Sequence, residues 1–220
     1  MSVTIQRLSS QSWFRITTDE MTVDIDPAYY GTQKTGPDAY EKAGLVLITH
    51  GHRDHCDKRA LSDICGPDTV IIGPRTCLNG LPGRTQPIKP PEEYVMEKVK
   101  VIAVEAYNMG IRGRLLHKKG ECNGYLVNAD GITIYHPGDT DLIPEMGRLG
   151  HVDIAMLPVA GMVTMSPATA VEAALLIKPT IVIPMHQLRS NPADFKRDLE
   201  SKAPDITVVL LGVGESYSIF

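Results

Sequence analysis

The sequence predicts an α/β fold in which mixed β-sheets carry helices on their outer faces. Residues 3–25 contain three short apolar, β-branched segments separated by short polar joints, which is typical of consecutive antiparallel strands. Residues 45–49 form an uninterrupted apolar run, as expected of a strand that is buried on both faces. From residue 153 onward, strand-like and helix-like segments alternate, which indicates crossovers between parallel strands. These patterns together favour a layered α/β protein.

The predicted elements follow one another without an internal repeat or a linker. The predicted strands cover residues 3–8, 13–17, 21–25, 45–49, 69–72, 99–106, 124–128, 132–135, 153–157, 180–183 and 206–211. The predicted helices cover 58–64, 167–177 and 193–202, and Ser166 is the expected N-cap of the second one. The loops over 28–43 and 158–165 are expected to form a lid, a subunit contact or part of a substrate site.

Length, charge and cysteine pattern narrow the class of protein. A chain of 220 residues predicts one domain that spans 1–220. Its formal net charge of -4 gives no electrostatic reason to expect nucleic acid or an anionic membrane as a partner. The N-terminal residues alternate like a strand rather than a signal peptide, and the apolar runs are too short to cross a membrane. Four cysteines without a C-x-x-C pair favour a reduced, cytoplasmic protein, and a homo-oligomer stays open.

Four metal-ligand residues follow the apolar strand at 45–49 directly: His50, His52, Asp54 and His55. Their spacing does not fit one face of a helix, where ligands would stand three or four residues apart. It fits a tight loop whose side chains point in two directions and supply two adjacent ions. Imidazole and carboxylate ligands together suit zinc, with manganese or iron as alternatives.

This run resembles the H-x-H-x-D-H signature of the metallo-β-lactamase superfamily. Residues 135–140 (YHPGDT) resemble the family's G-D-T segment, residues 183–186 (IPMH) its closing strand and histidine, and residues 26–27 (DP) its early turn. The similarity covers nearly the whole chain and is greatest to the compact branch of metal-dependent hydrolases that includes the sugar-phosphate lactonases. It implies an αββα sandwich of two mixed β-sheets with a dinuclear centre between them.

The resemblance also implies a ligand for each position of that centre. His50 and His52 are expected at the first metal, Asp54, His55 and His186 at the second, and Asp139 between both. The family usually places a further histidine where this chain has Asn108, so His117 in the next loop is the expected substitute. If neither residue binds, the centre would hold one metal tightly and the other weakly.

The implied activity is hydrolysis by a metal-bound or bridging hydroxide, with Asp54 and Asp139 as the catalytic carboxylates. The bond would be an ester, lactone or phosphodiester of a small molecule. Residues 110–119 are the most basic segment, and an anionic substrate would be favoured if Arg112, Arg114, Lys118 and Lys119 lie near the site. The alternative is a non-catalytic metal-binding or ligand-sensing protein on the same scaffold. A di-iron redox enzyme is disfavoured, because the di-iron relatives have an acidic residue where this chain has His52.

Four other residues have less specific expectations. Asp26 is either a plain turn residue or the partner that orients a ligand histidine. His136 is expected to be structural or to support a ligand, and His151 to be exposed. Gly138 is expected to permit the close backbone approach that a ligand loop needs.

Overall fold

The computed structural model describes residues 2–36 and 38–219, and the side chains of residues 112–114 lie outside the described part. The strands in chain order are β1 (Val3–Arg7), β2 (Phe14–Thr17), β3 (Thr22–Ile25), β4 (Ala43–Leu47), β5 (Cys65–Gly73), β6 (Arg84–Pro87), β7 (Glu93–Met96), β8 (Val99–Glu105), β9 (Asn123–Ala129), β10 (Ile132–His136), β11 (Ile154–Pro158), β12 (Ile181–Met185), β13 (Thr207–Val208) and β14 (Ser216–Ile219). The α-helices are α1 (Lys58–Ile64), α2 (Gly110–Leu115), α3 (Pro167–Ile177) and α4 (Pro192–Lys202). Short 3₁₀ helices cover Arg75–Cys77 and Pro144–Arg148.

Two seven-stranded sheets, both mixed, form the centre of the fold. The first has the order β14-β1-β2-β3-β4-β5-β6 and the second β13-β12-β11-β10-β9-β8-β7. In the first sheet, β1 to β3 are antiparallel neighbours and β3 to β6 are parallel. In the second, β7 to β10 are antiparallel and β10 to β13 are parallel. The predicted N-terminal antiparallel strands and the later parallel crossovers are confirmed.

Helices cover the outer faces of both sheets, so the layers are those of an αββα sandwich. The central hydrophobic cluster joins the facing sides of the sheets, with side chains from β1 to β5 against side chains from β8 to β12. A second cluster packs α3 and α4 on the outside of the second sheet, and a third packs α1 on the first sheet. Strand β4 contributes Leu45 and Leu47 to the central cluster and Val46 to the one under α1. Its continuous apolar sequence therefore contributes side chains to the clusters on both faces of the first sheet. The predicted fold class is confirmed.

The helix starts follow ordinary capping chemistry. Ser166 accepts a hydrogen bond from the backbone N–H of Thr169 at 3.1 Å, with Pro167 in the first turn, so the expected N-cap of α3 is confirmed. Asp57 caps α1 and Asn191 caps α4 in the same way. Within the described residues, no helix is long and apolar enough to cross a membrane.

Aromatic side chains of the loop that follows β3 pack against the first sheet. The ring of Trp13 lies 5.9 Å from the ring of Tyr29 and 4.9 Å from that of Tyr40, and its indole N–H donates to Asp24. Tyr30 is exposed. Two of the three loop tyrosines therefore pack against the protein itself, which limits how far the loop can move.

Candidate metal centre

Loops that follow several strands bring the candidate ligands to one place between the sheets. After β4, a tight turn begins at His52, whose carbonyl accepts the backbone N–H groups of His55 and Cys56. After β10, the chain turns through Gly138 to Asp139. After β12, it turns at His186, which adopts a left-handed φ of 46°. The carboxyl ends of strands are the usual position for a site in sheets with parallel strands.

Three histidines form the first group of donor atoms. His50 Nε2 lies 3.0 Å from His52 Nδ1, and His117 Nε2 lies 3.2 Å from the same atom. His50 and His117 are buried, whereas His52 is exposed. The structure therefore brings His117 into the cluster, as the sequence predicted, and leaves one side of this group open to solvent.

The second group consists of Asp54, His55 and His186. Asp54 Oδ2 lies 3.4 Å from His186 Nε2 and 3.7 Å from His55 Nε2. Both histidines are buried, and the Asp54 side chain is 28% exposed. The second group therefore also has a single open direction, at the Asp54 carboxylate.

Asp139 stands between the two groups. Its Oδ2 lies 3.5 Å from His117 Nε2 and 3.4 Å from His186 Nε2, and its Oδ1 lies 3.5 Å from His55 Nε2. One carboxylate thus touches donor atoms of both groups, which is the arrangement a bridging ligand needs.

The donor set fits a pair of metal ions on two observations. Tetrahedral ligand atoms about 2.0–2.2 Å from an ion lie about 3.3–3.6 Å from one another, close to the separations found here. Among the described residues, His55 Nε2, His186 Nε2 and Asp139 Oδ1 are buried without a hydrogen-bond partner. Buried polar atoms without partners are rare, so these atoms have the geometry of ligands.

The outer nitrogens of the ligand histidines are held by neighbours on the first sheet. His55 Nδ1 lies 2.7 Å from Asp26 Oδ2, and Thr49 donates to the same carboxylate through its backbone N–H and its hydroxyl. The Thr49 hydroxyl also lies 3.0 Å from His50 Nδ1. Asp26 is fully buried with a φ of 52°, so it is both a turn residue and the partner of a cluster histidine. Such contacts fix the tautomer and orientation of an imidazole.

Asn108 occupies the place where a further histidine was expected, and it supports His117. Its side-chain oxygen lies 2.6 Å from His117 Nδ1, and its backbone N–H donates to the His117 carbonyl. Its side-chain nitrogen donates to the carbonyl of Val163. Because the Asn108 oxygen is used by His117 Nδ1, the His117 Nε2 lone pair is left free to face the cluster. Nothing in the sequence pattern pointed to this role.

Burial and neighbouring charges set the protonation of the cluster. Burial lowers the pKa of His50 well below its usual value and that of His117 to about 4, so both imidazoles are neutral at pH 7. Burial opposes ionisation of Asp139, but His55 and His186 outweigh it and keep the Asp139 pKa low. Burial also opposes a charged His55, yet Asp139 and Asp26 raise the His55 pKa well above its usual value. An ion beside His55 Nε2 would take the place of that proton.

The structure agrees with the expectations for three further residues, which are His136, His151 and Gly138. His136 Nε2 lies 3.1 Å from the carbonyl of Ser12, and its Nδ1 accepts from the backbone N–H of Gly138, so it braces the loop. His151 is exposed and pairs with Asp153. Gly138 has a φ of 63°, and a Cβ there would lie 2.7 Å from the Thr49 Cβ. Only glycine permits that approach.

The basic segment at 110–119 is partly neutralised. Lys119 pairs with Glu145 at 2.7 Å and lies over the Tyr107 ring, and Lys118 pairs with Glu121 at 3.6 Å. The side chains of Arg112 and Arg114, which were expected near the site, lie outside the described residues. The two lysines therefore do not supply free positive charge to the cluster.

Comparison with known proteins shows the family to which the chain belongs. A family model described as the beta-lactamase superfamily domain matches residues 4–186. A UPF0173 metal-dependent hydrolase from Nitratidesulfovibrio vulgaris is 32% identical, over 94% of this chain and 91% of its own.

Solved structures give the same fold. The crystal structure of a protein from Parabacteroides distasonis, proposed to be a metal-dependent hydrolase, is 31% identical with a TM-score of 0.86, over 95% of this chain and 92% of its own. A metallo hydrolase from Ignicoccus hospitalis has a TM-score of 0.82 at 24% identity, over 100% of this chain and 99% of its own, and shows the fold alone. The chain therefore belongs to the UPF0173 metal-dependent hydrolases of the beta-lactamase superfamily, and it is a metal-dependent hydrolase.

Proposed function

We propose that the chain is a dinuclear hydrolase that cleaves an ester, lactone or phosphodiester bond of a small molecule. The proposed ligands are His50, His52 and His117 for the first ion, Asp54, His55 and His186 for the second, and Asp139 for both. Zinc suits this mixture of imidazole and carboxylate ligands, and manganese or iron is the alternative.

The position of Asp139 carries the proposal. A cluster that held one ion would need a carboxylate facing one group of donors only. Asp139 has oxygens at 3.4–3.5 Å from His117, His186 and His55, which belong to both groups. It is also 3% exposed, so it contacts the cluster rather than bulk water.

The chemistry then follows from the cluster and its opening. When bound, two divalent ions would lower the pKa of a water to about 7 and polarise the oxygen of the substrate. Asp139, which stays ionised, would hold the ions and orient the attacking water between the two groups. Asp54 is the carboxylate that faces the opening, where it is placed to pass a proton towards the leaving group. His52, the exposed histidine, marks the side from which the substrate enters.

Within this class, we favour a carbon–oxygen ester or lactone over a phosphodiester of a long polymer. The net charge of -4 does not favour a polyanion, and Lys118 and Lys119 are paired with glutamates. Free thiols at all four cysteines accord with the proposed cytoplasmic location.

The direct test is the Asp139→Asn variant in a screen of small esters, lactones and phosphodiesters. The amide keeps the size of the side chain but removes the charge that both ions need. We expect kcat/KM for the hydrolysed substrate to fall by at least about 100-fold. His151→Ala is the matched control, because His151 is exposed and lies outside the cluster. If Asp139→Asn hydrolyses the substrate as fast as the wild type, Asp139 does not bridge two ions.

A further inference from the structure

A cavity of about 500 Å³ adjoins the metal cluster and has no part in the roles given above. Its lining residues are Ser10, Gln11, Met162, Gln187, Leu188 and Arg189. Cavities of this size hold small molecules, and a few fixed polar groups in such a cavity determine what is bound.

The walls of this cavity are attached to residues of both donor groups. The backbone N–H of His186 donates to the carbonyl of Gln11 at 3.2 Å, so the cavity begins beside the second group. On another side, Asn108 donates to the carbonyl of Val163, next to Met162, while its oxygen contacts His117 of the first group. The cavity lining therefore starts one residue after His186 and continues to the neighbour of the Val163 carbonyl that Asn108 contacts, so it lies next to residues that touch both donor groups.

The backbone at this wall is held in a rare conformation. His186 and Leu188 both have φ values of 46°, in the left-handed region that residues with a Cβ seldom adopt. Such a residue is strained and persists where the surroundings require it, commonly at functional sites. The two turns let the chain place His186 in the cluster and residues 187–189 on the cavity wall immediately afterwards.

The wall carries positive charge that is not matched by carboxylates. Arg189 is exposed, and no described carboxylate lies within ion-pair distance of it. Behind the wall, Arg7 is 3% exposed and donates to the carbonyls of Ser9, Ser10 and Leu211 and to Gln187 Oε1. All four acceptors are neutral, and although burial lowers the Arg7 pKa to about 10, the guanidinium stays charged at pH 7.

The remaining lining is one polar acceptor and two apolar side chains. Gln11 is 4% exposed, and its Oε1 has no hydrogen-bond partner among the described residues. Met162 and Leu188 are 68% and 47% exposed and offer apolar surface to a carbon skeleton.

We propose that this cavity binds the non-reacting end of the substrate, and that Arg189 there binds a carboxylate. The inference rests on the proposed function for the position of the reacting bond. Arg189 is the guanidinium at the lining, whereas Arg7 lies behind the wall and directs four hydrogen bonds to neighbouring protein groups, so one negative charge is matched. A guanidinium also binds a carboxylate through two parallel hydrogen bonds. The substrate class is therefore an ester or lactone that carries a second, free carboxylate.

The test compares monomethyl and dimethyl esters of succinate, glutarate and adipate with the zinc-loaded enzyme. The two members of each pair have the same scissile bond and differ in whether the far carboxylate is free. We expect Arg189→Ala to lower kcat/KM for the best monoester by about 10-fold or more and to leave its diester unchanged, with partial recovery in Arg189→Lys. Arg84→Ala is the matched control, because Arg84 is exposed on the edge strand β6. The assignment would be overturned if Arg189→Ala leaves the ratio of kcat/KM for the monoester to kcat/KM for the diester unchanged at every chain length.

A binding measurement separates this inference from the proposed function. Calorimetry of the zinc-loaded protein would compare the same dicarboxylates with acetate, which reaches the ions but not the cavity. We expect Arg189→Ala to weaken dicarboxylate binding and leave acetate unchanged. If the wild-type enzyme cleaves none of the esters, lactones and phosphodiesters of the screen and this pattern still holds, the proposed function fails and the carboxylate site stands. Equal weakening of acetate, or no weakening at all, removes Arg189 from the site.

Discussion

Three histidines of the candidate metal cluster each contact a neighbouring side chain through the ring nitrogen that faces away from the cluster. Thr49 contacts His50, Asp26 contacts His55, and Asn108 contacts His117. The sequence pattern predicted the histidines themselves and left the role of Asp26 open. It could not show that Asn108 would support His117, because that depends on a contact between residues nine positions apart, on either side of α2.

The support from Asn108 makes a prediction for metal affinity. Asn108→Ala leaves the His117 ring free to rotate and removes the acceptor that sets its tautomer. We expect the affinity of the first site to fall by about 10–100-fold, measured by titration against a competing chelator. Asn128→Ala is the control, because the Asn128 amide donates to Thr133 on the neighbouring strand. Matching titration curves for the two variants would contradict the role given to Asn108.

Among the secondary-structure elements, those with buried apolar residues were predicted from the sequence, whereas exposed strands at the sheet edges were missed. The bounds of α1 and α3 were predicted in full, and for α3 the N-cap Ser166 marked the start. The strands that the sequence did not reveal are β6, β7 and β14, each at the edge of a sheet. Their residues are exposed or half-buried, so they lack the apolar run by which strands are recognised. The predicted strand at 206–211 is also at an edge and is shorter than expected, covering Thr207–Val208.

The loop after β10 depends on the fit of one glycine against the loop after β4. In Gly138→Ala, the new Cβ would meet the Thr49 Cβ at 2.7 Å and the left-handed backbone would be strained. Gly131→Ala is the matched control, because it has a φ of 85° and open space around its Cβ position. We expect about 1–2 kcal/mol of lost unfolding free energy in Gly131→Ala, and about 1–3 kcal/mol more in Gly138→Ala, from denaturant unfolding. Equal losses would show that the contact with Thr49 does not matter.

At the scale of the whole molecule, the metal cluster lies where the two sheets meet. Residues 50–55 follow β4 of the first sheet, whereas Asp139 and His186 follow β10 and β12 of the second. The sequence predicted this convergence from the order of its motifs and from the family resemblance. It did not reveal the cavity beside His186, because Arg7, Gln11 and Arg189 are far apart in the chain and belong to no recognisable motif.

The most direct test of the dinuclear centre is the number of metal ions that the purified protein holds. Elemental analysis of the chain purified without added metal would be compared with His117→Ala and with the exposed control His151→Ala. We expect about two equivalents of zinc, manganese or iron in the wild type and the control, and about one equivalent in His117→Ala. One equivalent or none in the wild type, unaffected by His117→Ala, would contradict the dinuclear centre and remove His117 from it.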